Sequence, residues 1–493
     1  VLTPNLKNTN PPTINIKATI WYSNLVNRRP RIITILAPGL FIGTFLLYAL
    51  IQYQKHRQFL TFGWDVAVFD QPIYLFSRGQ APLSSLMAMH TLGDHFHPLL
   101  LLIGGLVYKL WASPLFLFWL QSSIVTASGV VIYLLAKKVF HYSPLALAVS
   151  AMYLFSVSLQ SMVLDDFHDD VLATLPLALI FLFLEQKNWL GYWLATAGLL
   201  LVKEEFGLLT AAIGLLVILR KISLKHGLTT ICVGLISFYL LLQVIMPWYS
   251  QTSHYAHYSD TNSPPVMIKQ IIRQPWLPFT TLVDHPQKLK TLITGTVSFG
   301  FLPLLAPPVF ALPILETLII RFIDSTAPLR FAFNNHYNGP LIPLLVIASI
   351  YAIPKLIKRF SPTALTTWVL GFTVLQGIFF HGPVNSILKS QFWQIQSWQQ
   401  DARALVGQVP PGVSLATQNS LLPHLDQRPE FYLLPKIGNA DYIAVDLHPG
   451  PNKLYAQTPE QLQTQLDQLI ASSQYKILWQ QNQALLLRRV GVK

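Results

Sequence analysis

The sequence predicts a mainly α-helical, polytopic membrane protein of about eleven transmembrane helices, with a small C-terminal α/β domain. Three observations predict this class: the low fraction of charged residues, the recurrent long apolar runs, and the polar composition of the C-terminal part. The 493 residues are 52% hydrophobic and only 11% charged, whereas soluble globular proteins have roughly 25% charged residues. Long apolar runs recur up to residue 384, and the composition becomes polar after Pro383. The single cysteine, Cys232, excludes an intrachain disulfide.

The predicted spans follow from the lengths of the apolar runs. About 20 apolar residues cross the hydrocarbon core, and fewer suffice where a helix is partly buried in protein. Residues 1–32 form a basic tail before the first span, and four prolines interrupt the pair at 292–323. The predicted spans are 33–52, 115–136, 144–162, 171–185, 189–202, 206–219, 228–247, 292–305, 308–323, 339–354 and 364–381.

The distribution of basic residues predicts the topology. Arg28, Arg29 and Arg31 precede the first span, and Lys137 and Lys138 follow the second. Short basic segments between spans are typical of cytoplasmic loops. The N-terminus is therefore predicted to be cytoplasmic and, with an odd number of spans, the C-terminal domain to be extracytoplasmic. This pattern also argues against nucleic-acid binding, despite a net charge of +13.

One short apolar run, residues 99–110, decides this topology. If it crossed the membrane, Lys137 and Lys138 would face outward and the later basic loops would change sides. If it is an interfacial or re-entrant helix, every short basic loop stays inside. We adopt the second interpretation. It gives a transmembrane domain over 33–384, with outer loops at 53–114 and 248–291.

Residues 385–493 are predicted to form the soluble domain on the outer surface. Their apolar residues alternate between helical and strand-like periodicity, which is typical of an α/β domain. The predicted helices are 391–407 and 459–471, and the predicted strands are 413–417, 442–446, 475–480 and 484–488.

Acidic residues gather in four short clusters between the spans. Residues 1–384 contain 14 acidic residues, of which the clusters hold nine. In the predicted topology only Glu185 and Glu316 lie on or near the cytoplasmic side. Carboxylates at a bilayer boundary are costly, so this gathering on one side indicates a functional site. The clusters lie at residues 64–71, 93–98, 165–170 and 203–207.

Asp65 and Asp70 belong to the first cluster, in a segment predicted to be helical up to Gly79. Being five residues apart, they lie on different stripes of a helix and are expected to serve different purposes. The structural alternative makes Asp65 a helix N-cap and Asp70 a surface acid.

In the second cluster, Asp94, His95 and His97 suit either a mixed nitrogen–oxygen metal site or a phosphate-binding pocket. The structural alternative makes Asp94 a helix cap and Pro98 a first-turn residue.

The third cluster places Asp165, Asp166, Asp169 and Asp170 around His168. In a helix Asp166 and Asp170 would share a face, where like charges raise each other's pKa unless a cation or donors offset the repulsion. The structural alternative is favourable negative charge at a helix N-terminus, worth under ~1 kcal/mol per acid. That effect explains one or two acids but not four.

The fourth cluster, Lys203, Glu204 and Glu205, interrupts an apolar stretch. It is either an ordinary tight turn between spans or a ligand-binding turn in which Lys203 contacts a phosphate. Arg330 and His336 are assigned to the same outer face.

In their order, these clusters resemble the motifs of a family of bacterial polytopic membrane proteins with a domain of unknown function. The motifs are Asp-x-x-x-Phe-Asp-Gln at 65–71, Gly-Asp-His-Phe at 93–96, Phe-His-acid from Phe167 and Lys-Glu-acid from Lys203, and the segment 417–425 fits the same family. The resemblance covers roughly residue 60 to the C-terminus. That family is similar to the GT-C glycosyltransferases, which use polyprenyl-phosphate sugars.

The resemblance implies a glycosyltransferase of the bacterial inner membrane that moves a sugar from a polyprenyl-phosphate donor to an extracytoplasmic glycan, lipid or protein acceptor. It places the catalytic acid of the first outer loop at Asp65 and that of the second at Asp170. The candidate catalytic residues are Asp65, Asp70, Asp166 and Asp170, and the candidate substrate-binding residues are Asp94, His95, His97, Lys203, Glu204, Glu205 and His336.

The chemistry of the third cluster also permits a divalent metal. Two carboxylates and one imidazole, from Asp166, His168 and Asp170, suit Mg²⁺ or Mn²⁺, with Zn²⁺ as an alternative. Beyond this metal, the sequence predicts no cofactor.

A transporter or flippase is the main alternative function, because intramembrane acids and interrupted helices also mark ion pathways. Transporter acids are expected near the bilayer midplane, whereas these lie at span ends. A non-catalytic receptor or assembly factor is the third alternative, since motifs do not show turnover.

Overall fold

The computed structural model describes residues 30–250, 273–323, 328–448 and 457–492. The predicted basic tail up to residue 29 and residues 251–272 of the predicted outer loop lie outside the described residues. The helical part of the chain comes first, and a five-stranded sheet with flanking helices follows it.

The described helices are separated by short turns and 3₁₀ segments. They are α1 (Pro30–Arg57), α2 (Gly63–Ser77), α3 (Thr91–Asp94), α4 (Pro98–Tyr108), α5 (Leu115–Phe140), α6 (Ser143–Leu154), α7 (Val157–Leu164), α8 (Thr174–Gln186), α9 (Trp189–Leu200), α10 (Phe206–Leu219), α11 (Leu224–Leu240), α12 (Met246–Ser250), α13 (Leu277–Thr280), α14 (Pro286–Ser298), α15 (Ala311–Phe322), α16 (Leu341–Ile357), α17 (Pro362–Phe380), α18 (Ser390–Trp393), α19 (Ser397–Gln408) and α20 (Pro459–Ala471). The 3₁₀ segments used below are Asp169–Ala173, His336–Asn338 and Leu422–His424.

Within the described residues, four helices are long and apolar enough to cross a membrane, and counting each bent pair as one span gives up to six. The four are Ile32–Arg57, Leu115–Phe140, Leu224–Ser250 and Pro362–Phe380, and the bent pairs are α6 with α7 and Pro328–Asn338 with α16. The helices at the other five predicted spans (α8, α9, α10, α14 and α15) have 12 to 14 residues. At 1.5 Å per residue they reach about 20 Å, so eleven crossings stay a prediction.

The helix α4 corresponds to the short apolar run that decides the topology. Its 11 residues reach about 16 Å, roughly half the thickness of the hydrocarbon core. It packs closely on α2, since a Cβ atom added at Gly104 would lie 2.8 Å from Ile73, and one at Gly105 would lie 2.6 Å from Phe76. These dimensions suit a helix that lies against the protein better than one that crosses the bilayer.

A two-stranded ribbon, β1 (Leu83–Ser84) with β2 (Met89–His90), follows α2, and the strands of the C-terminal sheet are β3 (Leu415–Thr417), β4 (Phe431–Leu433), β5 (Tyr442–Asp446), β6 (Tyr475–Gln481) and β7 (Ala484–Arg489). This sheet is mixed, with strand order β4-β3-β5-β7-β6. The strand β3 pairs in parallel with β4 and β5, and β7 pairs antiparallel with β5 and β6. One face packs on α19 through Ala402 and Leu405, and the other packs on α20 through Leu462 and Leu466.

The four predicted strands of this region are present, with ends within two residues of the expected ones. The sequence analysis missed β4, which has only three residues and therefore shows too little alternation to detect. The predicted helix 391–407 is divided into α18 and α19.

Candidate active site

The four acidic clusters meet where helices of the bundle end. Asp65 of the first cluster lies 3.4 Å from His168 of the third. His97 of the second lies 3.2 Å from Asp169 of the third, and Lys203 of the fourth lies 3.2 Å from Asp170. The clusters therefore form one network of polar contacts.

Asp65 lies in the first turn of α2, and its side chain is 24% exposed. Its Oδ1 faces Nε2 of His168, whose ring is stacked on His336 with ring centroids 3.5 Å apart. Burial would lower the pKa of His168, but the hydrogen bond and charge of Asp65 more than offset it, so the pKa is raised. Asp65 is thus an accessible carboxylate with a buried imidazole behind it, and it is not the N-cap of α2, which is Phe62.

Asp166 joins the end of α1 to the start of α2. Its carboxylate accepts hydrogen bonds from Lys55 Nζ at 3.0 Å and from the Phe62 N–H at 2.9 Å. Burial raises the pKa of Asp166, and the charge of Lys55 opposes this. The expectation that Asp166 shares a helical face with Asp170 is wrong, because α7 ends at Leu164 and Asp166 takes a left-handed conformation with φ of 61°.

Lys203 is buried between two carboxylates. Its Nζ lies 3.2 Å from Asp170 and 3.8 Å from Asp169. Burial would lower the pKa of Lys203, but these two charges hold it well above its usual range. The pKa of Asp169 is lowered, because Lys203, His97 and His95 outweigh the effect of burial. The predicted phosphate ligand is therefore already paired within the network.

His95 occupies a more exposed position, with 28% of its side chain accessible. Its Nδ1 lies 3.0 Å from Glu204 Oε1, and the Phe96 N–H donates to Glu204 Oε2 at 2.9 Å. Burial would lower the pKa of His95, but Glu204 and, more weakly, Asp94 raise it to about 9. At neutral pH His95 is an imidazolium at the edge of the network.

His97 faces away from His95. Its Nδ1 contacts Asp169, and its Nε2 lies 2.9 Å from Thr91 Oγ1. It takes the N-cap position of α4, while Pro98 opens that helix as expected and Asp94 ends α3. The two histidines therefore bind separate carboxylates and do not share a ligand.

Asp70 is fully buried, five residues along α2 from Asp65. The Tyr108 hydroxyl donates to its Oδ1, and a second buried acid, Asp426 of the C-terminal region, faces it. Burial raises the pKa of both Asp70 and Asp426. Asp70 is thus an interior contact to the sheet region and is not a surface acid.

Glu205 lies on the far side of the network, where it lines a cavity of about 20 Å³ together with Glu316, Arg321, Arg330 and Tyr337. A volume of this size holds about one water molecule. Burial raises the pKa of Glu205, and Lys203 opposes this.

The predicted metal ligands do not form a common site. Asp166, His168 and Asp170 face Lys55, Asp65 and Lys203, respectively. Among the described residues, no group of three His, Cys, Asp or Glu side chains is arranged to hold a metal ion. The left-handed turn at Asp166 directs its side chain away from Asp170 and towards Lys55.

Sequence reasoning missed the residues that complete the network from outside the clusters. Lys55 resembles an ordinary basic flank of a span, Tyr108 ends an apolar helix, and Asn419 and Asp426 lie more than 350 residues from their partners in α2. Only the inclusion of residues 417–425 among the family motifs pointed to this second segment.

Comparison with known proteins gives a family and two similar structures. The family described as "Predicted membrane protein (DUF2079)" matches residues 55–486. Two solved structures of ArnT from Cupriavidus metallidurans are similar to the chain. The one bound to undecaprenyl phosphate has 13% sequence identity and a TM-score of 0.49, covering 92% of this chain and 98% of that chain. The apo state has 10% identity and a TM-score of 0.48, covering 96% and 98%. No curated protein matches the chain.

Proposed function

We propose that this chain, which belongs to the DUF2079 family of predicted membrane proteins, is a membrane glycosyltransferase of the GT-C type. In this proposal it moves a sugar from a polyprenyl-phosphate donor to an extracytoplasmic glycan, lipid or protein acceptor. One observation carries the proposal. Asp65 is a partly exposed carboxylate held by a buried imidazole, whereas Asp166, Asp169 and Asp170 of the third cluster are buried and paired with lysine or histidine.

Asp65 is proposed as the general base. As an acceptor hydroxyl attacks the anomeric carbon of the donor sugar, the Asp65 carboxylate takes its proton. The bond from that carbon to the phosphate oxygen breaks, and its electron pair leaves with the lipid phosphate. His168 orients the carboxylate by its contact with Oδ1, and the stack with His336 fixes the His168 ring in turn.

The departing lipid phosphate requires positive charge close by. The His95 imidazolium is the suitable group, because it is partly exposed and a pKa of about 9 keeps it charged at neutral pH. Glu204 holds the His95 ring from the other side. Lys203 adds charge from within the network, and its two carboxylate partners make it a positioning group.

The positive-inside pattern supports the placement of this site on the outer face of a bacterial inner membrane. In that placement the N-terminus is cytoplasmic and residues 385–493 are extracytoplasmic. The helix ends that hold the network then lie at headgroup depth, where a lipid-linked sugar presents its phosphate. No step of the proposed mechanism requires a metal ion.

Replacing Asp65 by Asn tests this function directly. The variant removes the proton acceptor and keeps the shape, so we expect sugar transfer to fall by about 10²- to 10⁴-fold. Transfer is measured with purified protein in detergent and a panel of radiolabelled polyprenyl-phosphate sugars. Asp467→Asn, at an exposed position of α20, is the matched control and should keep the wild-type rate.

Wild-type transfer by Asp65→Asn would contradict the proposed base. If the wild-type protein transfers no sugar from any donor, the glycosyltransferase proposal fails and a transporter or flippase is favoured. Flux measurements in vesicles would then test that alternative.

A further inference from the structure

The helix that holds Asp65 begins without a capping side chain of its own. Its N-cap residue is Phe62, which has no polar side-chain atom to accept a backbone hydrogen bond. The first turn of a helix leaves its backbone N–H groups without partners inside the helix. In α2 the Asp65 N–H reaches the Phe62 carbonyl at 3.2 Å, whereas the N–H groups of residues 62–64 bond to other parts of the chain.

Two distant residues supply the acceptors. The Phe62 N–H donates to Asp166 Oδ2 at 2.9 Å. The Gly63 N–H donates to the Asn419 carbonyl at 2.8 Å, and the Trp64 N–H donates to Asn419 Oδ1 at 3.1 Å. Asn419 therefore accepts from two consecutive N–H groups directly before Asp65, across 355 residues of sequence.

The segment that contains Asn419 is hydrogen-bonded to the sheet. It follows β3, where Thr417 Oγ1 donates to the Ala444 carbonyl at 2.8 Å and Gln418 Nε2 donates to the Asp446 carbonyl at 2.7 Å. These bonds tie the segment to the neighbouring strand β5. The Asn419 acceptors are thus held by the sheet itself.

The next residues dock tightly on α1 and α2. A Cβ atom added at Gly63 would lie 2.5 Å from Leu422 Cδ2, so only glycine permits this contact. The His424 ring stacks on His56 at a centroid distance of 4.0 Å. Ala67 and Leu422 also share a small core with Phe431 of β4.

We propose that Asn419 is a positioning residue for Asp65. The C-terminal sheet region thereby completes the active site, because it caps the start of α2 from a distant part of the same chain. This inference rests on the proposed function, because it takes Asp65 as the general base. Without the cap the first turn of α2 would fray, and the carboxylate would move relative to His168. Misplacement of a catalytic group by about 1 Å can lower a rate by about 10²-fold.

Three variants of the full-length protein in detergent test this inference: Asn419→Ala, Asn419→Asp and Thr458→Ala. Asn419→Ala removes the side-chain acceptor, while Asn419→Asp keeps it. Thr458→Ala removes an equivalent cap, since Thr458 Oγ1 accepts from the Gln461 N–H at the start of α20, far from Asp65. Each variant is assayed for kcat and KM of sugar transfer, and for amide hydrogen exchange over residues 62–66.

For Asn419→Ala we expect kcat to fall by about tenfold or more, KM to change by less than about twofold, and exchange over residues 62–66 to become faster. Asn419→Asp should restore both properties, because aspartate is as good a cap as asparagine. Thr458→Ala should keep the wild-type kcat. If Asn419→Ala does not fold, Asn419→Leu replaces it, since leucine has a similar size and no side-chain acceptor.

Unchanged exchange in Asn419→Ala would show that Asn419 does not cap α2, and faster exchange with an unchanged kcat would show that the cap does not position Asp65. Either result overturns the inference. A wild-type protein that transfers no sugar, with exchange altered as expected, would instead overturn the proposed function and leave the cap standing as a structural contact.

Discussion

At the scale of single residues, accessibility separates the carboxylates of the network into two groups. Asp166 and Asp170 are buried and paired with lysines, so their charges stabilise the arrangement of turns. The Asp65 carboxylate, in contrast, reaches the surface. So does the imidazole of His95, which is paired with Glu204. Chemistry on a substrate is therefore expected at Asp65 and His95, with the buried pairs behind them.

The pair of His95 and Glu204 predicts a pH dependence of stability. The pKa of His95 is raised from 6.5 to about 9 in the folded protein. The pair thus contributes stability that is fully present below pH 6.5 and is lost as the pH rises through about 9. We expect the Tm in detergent to fall across this window, and Glu204→Gln to show a smaller fall. Equal slopes for the two proteins would contradict the assignment.

At the scale of elements, the helices α2 and α4 act as one unit because they pack through Gly104 and Gly105. Their contact brings Tyr108 to Asp70, and α2 presents Asp65 at its other end. The position of the proposed base therefore depends on packing several turns away from it.

Substitution of Gly104 tests this packing. In Gly104→Ala the new Cβ would lie 2.8 Å from Ile73, and we expect the free energy of unfolding to fall by about 1–3 kcal/mol. Gly43→Ala in α1 is the matched control, because nothing lies within 4 Å of its Cβ position. There alanine should stabilise the helix by about 0.5–1 kcal/mol. Thermal unfolding in detergent measures both, and equal effects would argue against close packing of α4 on α2.

At the scale of the whole molecule, the C-terminal region is joined to the helical part by several hydrogen bonds. Gln399 Nε2 donates to the Gln58 carbonyl at 2.9 Å, and Gln71 Nε2 donates to the Arg428 carbonyl at 3.1 Å. Together with Asn419, these contacts fix both ends of the 58–71 segment. The predicted separate domain is thus in contact with the candidate active site.

The buried acids Asp70 and Asp426 at this junction predict a second pH effect. Within the described residues, Asp70 Oδ2 and both Asp426 side-chain oxygens lack a hydrogen-bond donor, and a proton shared between the carboxyls would supply one. Burial raises the pKa of both groups above 3.8 in the folded protein. The stability that this proton provides is present at low pH and is lost as the pH rises through the folded-state pKa.

Asp426→Asn should therefore raise the Tm at about pH 8 and flatten its dependence on pH, because the amide donates the missing hydrogen bond without a proton. The measurement is the Tm in detergent from about pH 5 to about pH 9. The exposed Asp467→Asn should follow the wild-type curve. A lower Tm for Asp426→Asn at about pH 8 would contradict the shared proton.

The sequence by itself determined the membrane class, the positions of the longest helices, most strands of the C-terminal sheet and the four clusters of chemically active residues. Apolar run length and periodicity report burial along the chain, so features such as α1 or β5 are visible locally. The clusters were visible because carboxylates such as Asp165 to Asp170 stand out between apolar runs.

Only the tertiary structure decided which charges pair. Asp65 with His168, Asp166 with Lys55, and Asn419 with the start of α2 are contacts across about 100 to 350 residues. No local pattern encodes them, because each depends on where whole helices and the sheet come to lie. The expectation that Asp166 lies beside Asp170 was wrong for the same reason: one left-handed residue, Asp166, redirected a side chain that periodicity alone had placed there.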